Sequence, residues 1–201
     1  PMLRLAGSRI DPANNGPHGP RRLTGLTLQR IDGSTFAGGA TEVRVQVPAD
    51  ADLSGISWSP DGSRFMFTNT RANGIELWVG DTATGKARAV TGPVLNAAAG
   101  APVRWMPDGK RVLVRVIPEA RGAAPEAPRV PAGPVIQETR GKSAPVRTFQ
   151  DLLQTPHDEA LFDYYMTSQL EFIDLESGER TPIGAPAIYT MNDPSPSGEY
   201  L

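Results

Sequence analysis

Side chains that commonly carry out chemistry are scarce in this chain of 201 residues. Cysteine is absent, so no thiolate can serve as a nucleophile or a metal ligand. The two histidines, His18 and His157, lie 139 residues apart, and neither belongs to a spacing that is typical of metal sites. We therefore predict that the chain has no metal site and binds no cofactor.

A nucleophilic serine is not indicated either. An α/β-hydrolase presents its serine on a Gly-x-Ser-x-Gly elbow. The nearest approach is Gly141-Lys142-Ser143-Ala144-Pro145, in which a proline replaces the second glycine. The same Gly-Lys-Ser is not a phosphate-binding loop, because Ile136 stands where that loop needs a glycine. We predict no catalytic residue in this chain.

Two aspartates, Asp61 and Asp108, occupy the same place in a repeated turn. Trp58-Ser59-Pro60-Asp61-Gly62 returns as Trp105-Met106-Pro107-Asp108-Gly109, with the two prolines 47 residues apart, and a weaker copy follows at Pro194-Ser195-Pro196-Ser197-Gly198. Asp-Gly favours tight turns, because glycine accepts a positive φ and aspartate bonds nearby backbone. We therefore interpret Asp61, Gly62, Asp108 and Gly109 as a structural turn signature.

The elements around these turns predict an all-β fold. A period of about 40–50 residues with turns between short apolar strands is typical of a β-propeller blade. One blade is complete over residues 51–92, with strands at 55–58, 64–68, 75–79 and 86–90. Two full repeats and two partial ones predict a propeller segment of about three four-stranded blades, with the outer blades incomplete, that is part of something larger.

The third repeat is interrupted. Its strands lie within 101–117 and 168–184, and an insertion over 118–167 separates them. Residues 1–50 are predicted to end an earlier blade, with a first strand over 2–10, and residues 187–201 to begin the next blade. The proline-rich half of the insertion, 118–147, predicts an extended loop. The half over 148–165 predicts two short helical turns, the second capped by Thr155 or Asp158.

Apolar residues in the second half of the insertion need a surface to pack on. The candidates for shaping substrate access or docking are Phe149, Leu152, Phe162, Tyr164 and Tyr165. The formal net charge of −2 gives no reason to expect nucleic acid or a membrane surface as partner. No apolar run approaches the roughly 20 residues of a membrane helix.

The repeat resembles those of TolB and of the prolyl oligopeptidase family, and the insertion is similar to one group within that family, the glutamyl endopeptidases. The similar stretches are Val130–Gln137, Val146–Leu153, Asp158–Tyr165 and Pro182–Thr190. The resemblance implies an N-terminal propeller that restricts which peptides reach a Ser-Asp-His triad in a C-terminal α/β-hydrolase domain, absent from this chain. It implies cleavage on the carboxyl side of glutamate. Arg140, Lys142 and Arg147 are candidates, by charge alone, for the cationic contact that would select glutamate.

The implied partners are this catalytic domain and peptide substrates, with no nucleic acid and no membrane. The alternative is a TolB-like propeller that serves as a protein-binding module; a downstream Gly-x-Ser-x-Gly would distinguish the two. The compartment stays open, although the Ala/Gly/Pro-rich composition favours a bacterial periplasmic or secreted protein.

Overall fold

The computed structural model describes residues 2–19, 23–29, 42–128, 133, 141 and 152–201. This part of the chain is nearly all β, with thirteen strands in four antiparallel sheets. The strands are β1 Leu3–Leu5, β2 Ser8–Asp11, β3 Gly16–Pro17, β4 Thr27–Gln29, β5 Glu42–Arg44, β6 Leu53–Trp58, β7 Arg64–Arg71, β8 Gly74–Asp81, β9 Ala87–Ala89, β10 Val103–Trp105, β11 Arg111–Val116, β12 Thr167–Asp174 and β13 Arg180–Ile188. A 3-10 turn, Glu119–Arg121, and one α-helix, α1, Pro156–Met166, lie between β11 and β12. Within the described residues, no helix has the length and hydropathy needed to cross a lipid bilayer.

Two of the sheets are complete four-stranded meanders. Their strand orders are β6-β7-β8-β9 and β10-β11-β12-β13, so each strand pairs with its neighbour in sequence. Four antiparallel strands in consecutive order are the unit of a propeller blade. The predicted fold class, an all-β propeller segment with a helix confined to the insertion, is confirmed for the described residues.

The two complete sheets pack face to face, because their strands alternate apolar side chains. One face of the β6–β9 sheet contributes Met66, Leu77 and Val79 to a shared core, and the facing sheet contributes Val112 and Val114. The opposite face of the β6–β9 sheet carries Phe65, Phe67 and Trp78, and it packs against residues in and near the antiparallel β4–β5 pair. The β6–β9 sheet is therefore buried on both faces, as expected for an internal blade.

The three copies of the turn phrase have one backbone geometry. In each copy, the backbone N–H of the residue before the proline donates to the carbonyl of the residue five positions later. The carbonyl of that same residue before the proline accepts a hydrogen bond from the glycine N–H. The residues before the prolines are Ser59, Met106 and Ser195. The glycines Gly62, Gly109 and Gly198 have φ of 71°, 64° and 75°. The weaker third phrase is thus the same structural repeat as the first two.

The N-terminal strand predicted over residues 2–10 is two strands in the structure. Ala6 and Gly7 both have positive φ, and the tight turn that they form folds β1 back onto β2. β2 also pairs with β3, so these three strands form a sheet of their own, separate from the β4–β5 pair. An Ala-Gly pair is a weak turn signal. The assignment of 1–50 to the end of one blade stays a prediction.

The insertion leaves the β10–β13 sheet at the end opposite to the Asp-Gly turns. In a meander, the turns after the first and third strands lie at one end, and the turn after the second strand lies at the other. Gly109 lies close to Pro60, so the Asp-Gly turns of the two sheets share an end. The insertion base lies beside the β9–β10 connection, where Ile117 N donates to Val94 O at 2.9 Å. We call this end of the sheets the insertion face, a name that refers to the ends of the strands and not to a flat side of a sheet.

Candidate functional site

The turn-signature residues are occupied in holding their turns. The Asp61 carboxylate accepts hydrogen bonds from the Ser59 hydroxyl and from the Ser63 hydroxyl and backbone N–H. These bonds lower the pKa of Asp61 to about 2. Asp108 accepts from the backbone N–H groups of Lys110 and Arg111 and from the Arg111 guanidinium. Both carboxylates lie at the end of the sheets away from the insertion.

On the insertion face, α1 begins with a capping box. The Thr155 hydroxyl accepts from Asp158 N, and the Asp158 carboxylate accepts from Thr155 N and Gln154 N. These bonds lower the pKa of Asp158. Pro156 follows the cap, where its missing N–H costs nothing. Thr155 and Asp158, predicted as alternative caps, both contribute, so the helix has a fixed start.

The helix packs on the N-terminal hairpin. Tyr165 and Met166 are buried in one cluster with Leu5 and Ile10 of β1 and β2. The partly buried side chains that pack against this cluster include Leu153, Leu161, Phe162 and Tyr164. Among the candidate access residues, Phe162, Tyr164 and Tyr165 are therefore brought together. Leu152 is 53% exposed, and Phe149 lies outside the described residues, as do Arg140, Lys142 and Arg147.

Two buried asparagines join the end of the helix to the sheets. Asn96, in the connection between β9 and β10, donates from Nδ2 to the carbonyls of Tyr165 and Thr167 at 2.9 and 2.8 Å. Asn15 donates from Nδ2 to Asn96 Oδ1 at 2.6 Å and to Tyr165 O at 3.1 Å. Carbonyls at a helix C-terminus lack intrahelical partners, and these amides satisfy them. We call Asn15, Asn96 and the two carbonyls the amide node.

Arg121 connects the amide node to the outgoing arm of the insertion. Its Nη1 donates to Asn15 Oδ1 at 2.5 Å, and its guanidinium lies 4.3 Å from the centre of the Tyr164 ring. The Tyr164 hydroxyl donates to Gly122 O at 3.1 Å. Residues 121–122 lie before residues 123–154 in the chain and Tyr164 lies after them, so these contacts join the two arms of the insertion. We call this closure the insertion neck.

A buried arginine lies near the end of β11, the strand from which the insertion departs. Arg115 is 1% exposed, and its Nη atoms donate to the carbonyls of Ala99, Gly100, Ala101 and Tyr189. Burial, with the nearby positive charge of Arg104, lowers its pKa. These carbonyls belong to the connections that enter and leave the β10–β13 sheet on the insertion face. Arg115 therefore ties both connections to the strand from which the insertion departs.

The arrangement can position a chain segment relative to the sheets. Within the described residues, no group of three or more histidine, aspartate or glutamate side chains could hold a metal ion. The burial of Tyr165, with Tyr164 beside it, raises the pKa of the Tyr165 phenol. Sequence reasoning missed Asn15, Asn96 and Arg121, because the hydrogen bonds that they make join positions 69 to 150 residues apart.

No protein-family model matches the chain. Two curated proteins are similar over its whole length: the probable chloroplastic glutamyl endopeptidases of Oryza sativa subsp. japonica, 38% identical, and of Arabidopsis thaliana, 35% identical. The chain spans 22% of the length of each. The resemblance to glutamyl endopeptidases is thus confirmed. The expectation of a bacterial periplasmic or secreted protein is wrong, because both relatives are chloroplastic plant proteins.

Solved structures give distant matches. TolB from Acinetobacter baumannii matches with a TM-score of 0.45 and 15% identity, covering 86% of this chain and 30% of TolB. An acylaminoacyl peptidase from Pyrococcus horikoshii matches with a TM-score of 0.33 and 20% identity, covering 72% of this chain and 18% of the peptidase.

Proposed function

We propose that this chain is the non-catalytic propeller portion of a serine peptidase that cleaves after glutamate, and that its insertion restricts which peptides reach the active site. The peptidase activity is proposed from the full-length similarity to two probable glutamyl endopeptidases. In this proposal the catalytic residues lie in an α/β-hydrolase domain beyond this chain. That domain and the peptide substrates are the partners of the propeller.

The observation that carries the access role is the closed neck of the insertion. Both arms of the insertion meet at the insertion face, where Tyr164 contacts Arg121 and Gly122. A segment held at both arms is presented from a fixed base, whereas a free loop would sample a large volume and would lose entropy each time it was ordered against a substrate. A fixed obstacle at the mouth of a propeller can exclude bulky peptides and admit small ones.

The packing of α1 supports the same role. The helix buries Tyr165 and Met166 against the hairpin, yet leaves Glu159 and Asp163 exposed. Its exposed face therefore carries negative charge, and Leu152 stands exposed just before it. A surface of this kind is available to a passing peptide or to a neighbouring domain.

The test is a deletion of the loop in the longer protein that contains this chain. Residues 123–154 are replaced by about six Gly/Ser residues, which span on average about 13 Å, roughly the length of the helical segment from Pro156 to Tyr164. The neck and α1 stay intact. Hydrolysis of a glutamate-containing tripeptide and of a 30-residue peptide that contains the same cleavage site is then compared by kcat/KM.

We expect kcat/KM for the long peptide to rise and that for the tripeptide to stay constant, because only the long peptide meets the obstacle. The matched control replaces the loop with Gly/Ser residues of equal number, which keeps its bulk and removes its side chains. Unchanged kcat/KM for both peptides in the deletion variant would contradict the access role. A coding sequence that ends after the last blade, without a Gly-x-Ser-x-Gly elbow, would contradict the peptidase proposal and favour the alternative TolB-like binding module.

A further inference from the structure

We infer that Arg121 is the positioning residue of the insertion: its guanidinium, held between Asn15 and Tyr164, fixes α1 on the N-terminal hairpin. As a consequence, β1–β3 serve as the platform on which the insertion is mounted. The kinetic part of this inference rests on the proposed access function, whereas the structural part does not.

Arg121 is the point where three separate segments meet. Its Nη1 reaches Asn15, at the end of the hairpin; its face covers Tyr164, on α1; and its own backbone belongs to the 3-10 turn after β11. The Tyr165 ring also lies within reach, 5.8 Å from the guanidinium carbon. A planar guanidinium can stack on an aromatic ring and donate hydrogen bonds from its edge at the same time, whereas a lysine ammonium has no flat face that stacks on the ring.

The position of Asn15 makes the contact specific. Its backbone has a φ of 56°, its N–H donates to Asp11 O, and its carbonyl accepts from Ala97 N. Both hydrogens of its amide are used by the amide node, and Arg121 takes the remaining oxygen. Asn15 is 2% exposed, so water does not readily replace the guanidinium. Loss of Arg121 therefore leaves a buried acceptor without its donor, which is unfavourable.

Nonpolar packing is only part of what holds α1 on the N-terminal hairpin. α1 buries two residues fully, and its remaining apolar contacts are partly exposed. Short helices with few buried contacts open locally at low free energy. The charge-assisted hydrogen bond from Arg121 to Asn15 and the cation–π contact with Tyr164 therefore add to the amide node in holding α1 on the hairpin.

The experiment compares backbone amide hydrogen exchange of α1 in this chain with that of Arg121→Leu and Arg121→Lys. We expect Arg121→Leu to speed the exchange of residues 161–166 by at least about tenfold, the lysine variant to fall between, and the strands of the β6–β9 sheet to stay unchanged. Arg180→Leu is the matched control, because Arg180 makes a surface ion pair with Glu171 on β12 and β13, away from the neck. Exchange of α1 in Arg121→Leu at the wild-type rate would overturn the inference.

A second variant covers the case in which Arg121→Leu does not fold. Tyr164→Leu removes the ring under the guanidinium and the bond to Gly122 O, and we expect the same local acceleration. No acceleration there would also overturn the inference. In the longer protein, Arg121→Leu should raise kcat/KM for the long peptide more than for the tripeptide. If α1 opens and this ratio does not move, the access function fails while the positioning role of Arg121 stands.

Discussion

Replacing the turn glycines by valine gives a sharp test of the repeat. Gly62 and Gly109 have φ of 71° and 64°, in the left-handed region. A Cβ on Gly62 would meet nothing within 4 Å, and one on Gly109 would lie 3.7 Å from Pro60 Cδ, an ordinary contact. The cost is therefore conformational rather than steric crowding by neighbours. For an L-residue it is about 1–2 kcal/mol.

A loss of this size lowers the thermal midpoint of a protein of about 200 residues by roughly 2–8 °C. The assay is thermal unfolding of the 201-residue chain followed by circular dichroism. Gly62→Asn should recover much of the loss, because asparagine tolerates a positive φ. Gly25→Val is the matched control: this glycine has open space around it and no positive φ. Unchanged midpoints for Gly62→Val and Gly109→Val would show that the turns do not need glycine.

Two further predictions concern charge and activity. The pKa of Asp61 in the folded chain, about 2, lies below the unfolded value near 3.8, so the stabilisation by this carboxylate is full above about pH 4 and is lost as the pH falls towards 2. Urea unfolding should therefore show that the difference in free energy of unfolding between the wild type and Asp61→Asn shrinks between about pH 4 and pH 2. A difference that does not change with pH would contradict this prediction. The purified 201-residue chain should not hydrolyse glutamate-containing peptides, because it has no elbow serine and no cysteine; cleavage that a serine-directed inhibitor abolishes would disprove this.

The blades could be predicted from the sequence because their signals are local. An Asp-Gly turn, the strand before it and the strand after it lie within about 15 residues, and each strand alternates its apolar side chains. Arg64–Arg71 and Gly74–Asp81 extend the predicted strands by a few residues at their ends. Even the weak third phrase forms the predicted kind of turn, since Gly198 supplies the same positive φ as Gly62.

The neck could not be predicted, because its parts carry no local signal. Asn14-Asn15-Gly16 indicates a turn, and nothing in it shows that the Asn15 amide is buried against residues 81 and 150 positions away. Arg121 lies among prolines and alanines and looks solvated. The apolar residues of 152–165 indicate a need for a partner, but the partner is a hairpin that the sequence suggests as a single strand. Long-range pairing of this kind depends on the tertiary structure.

The position of the insertion within its blade follows from what each end of the sheet can tolerate. The ends at Asp61 and Asp108 are closed by tight turns whose carboxylates bond the next residues, so added chain there would break several bonds at once. At the opposite end, the chain must leave β11 and return to β12 whether or not an insertion is present. The amide node satisfies the carbonyls of Tyr165 and Thr167, where the insertion returns to the sheet, and Arg115 satisfies carbonyls of the connection that enters the sheet at the same end. A long insertion between β11 and β12 is therefore compatible with an intact blade, and the same hydrogen bonds that make it compatible also hold its base in place.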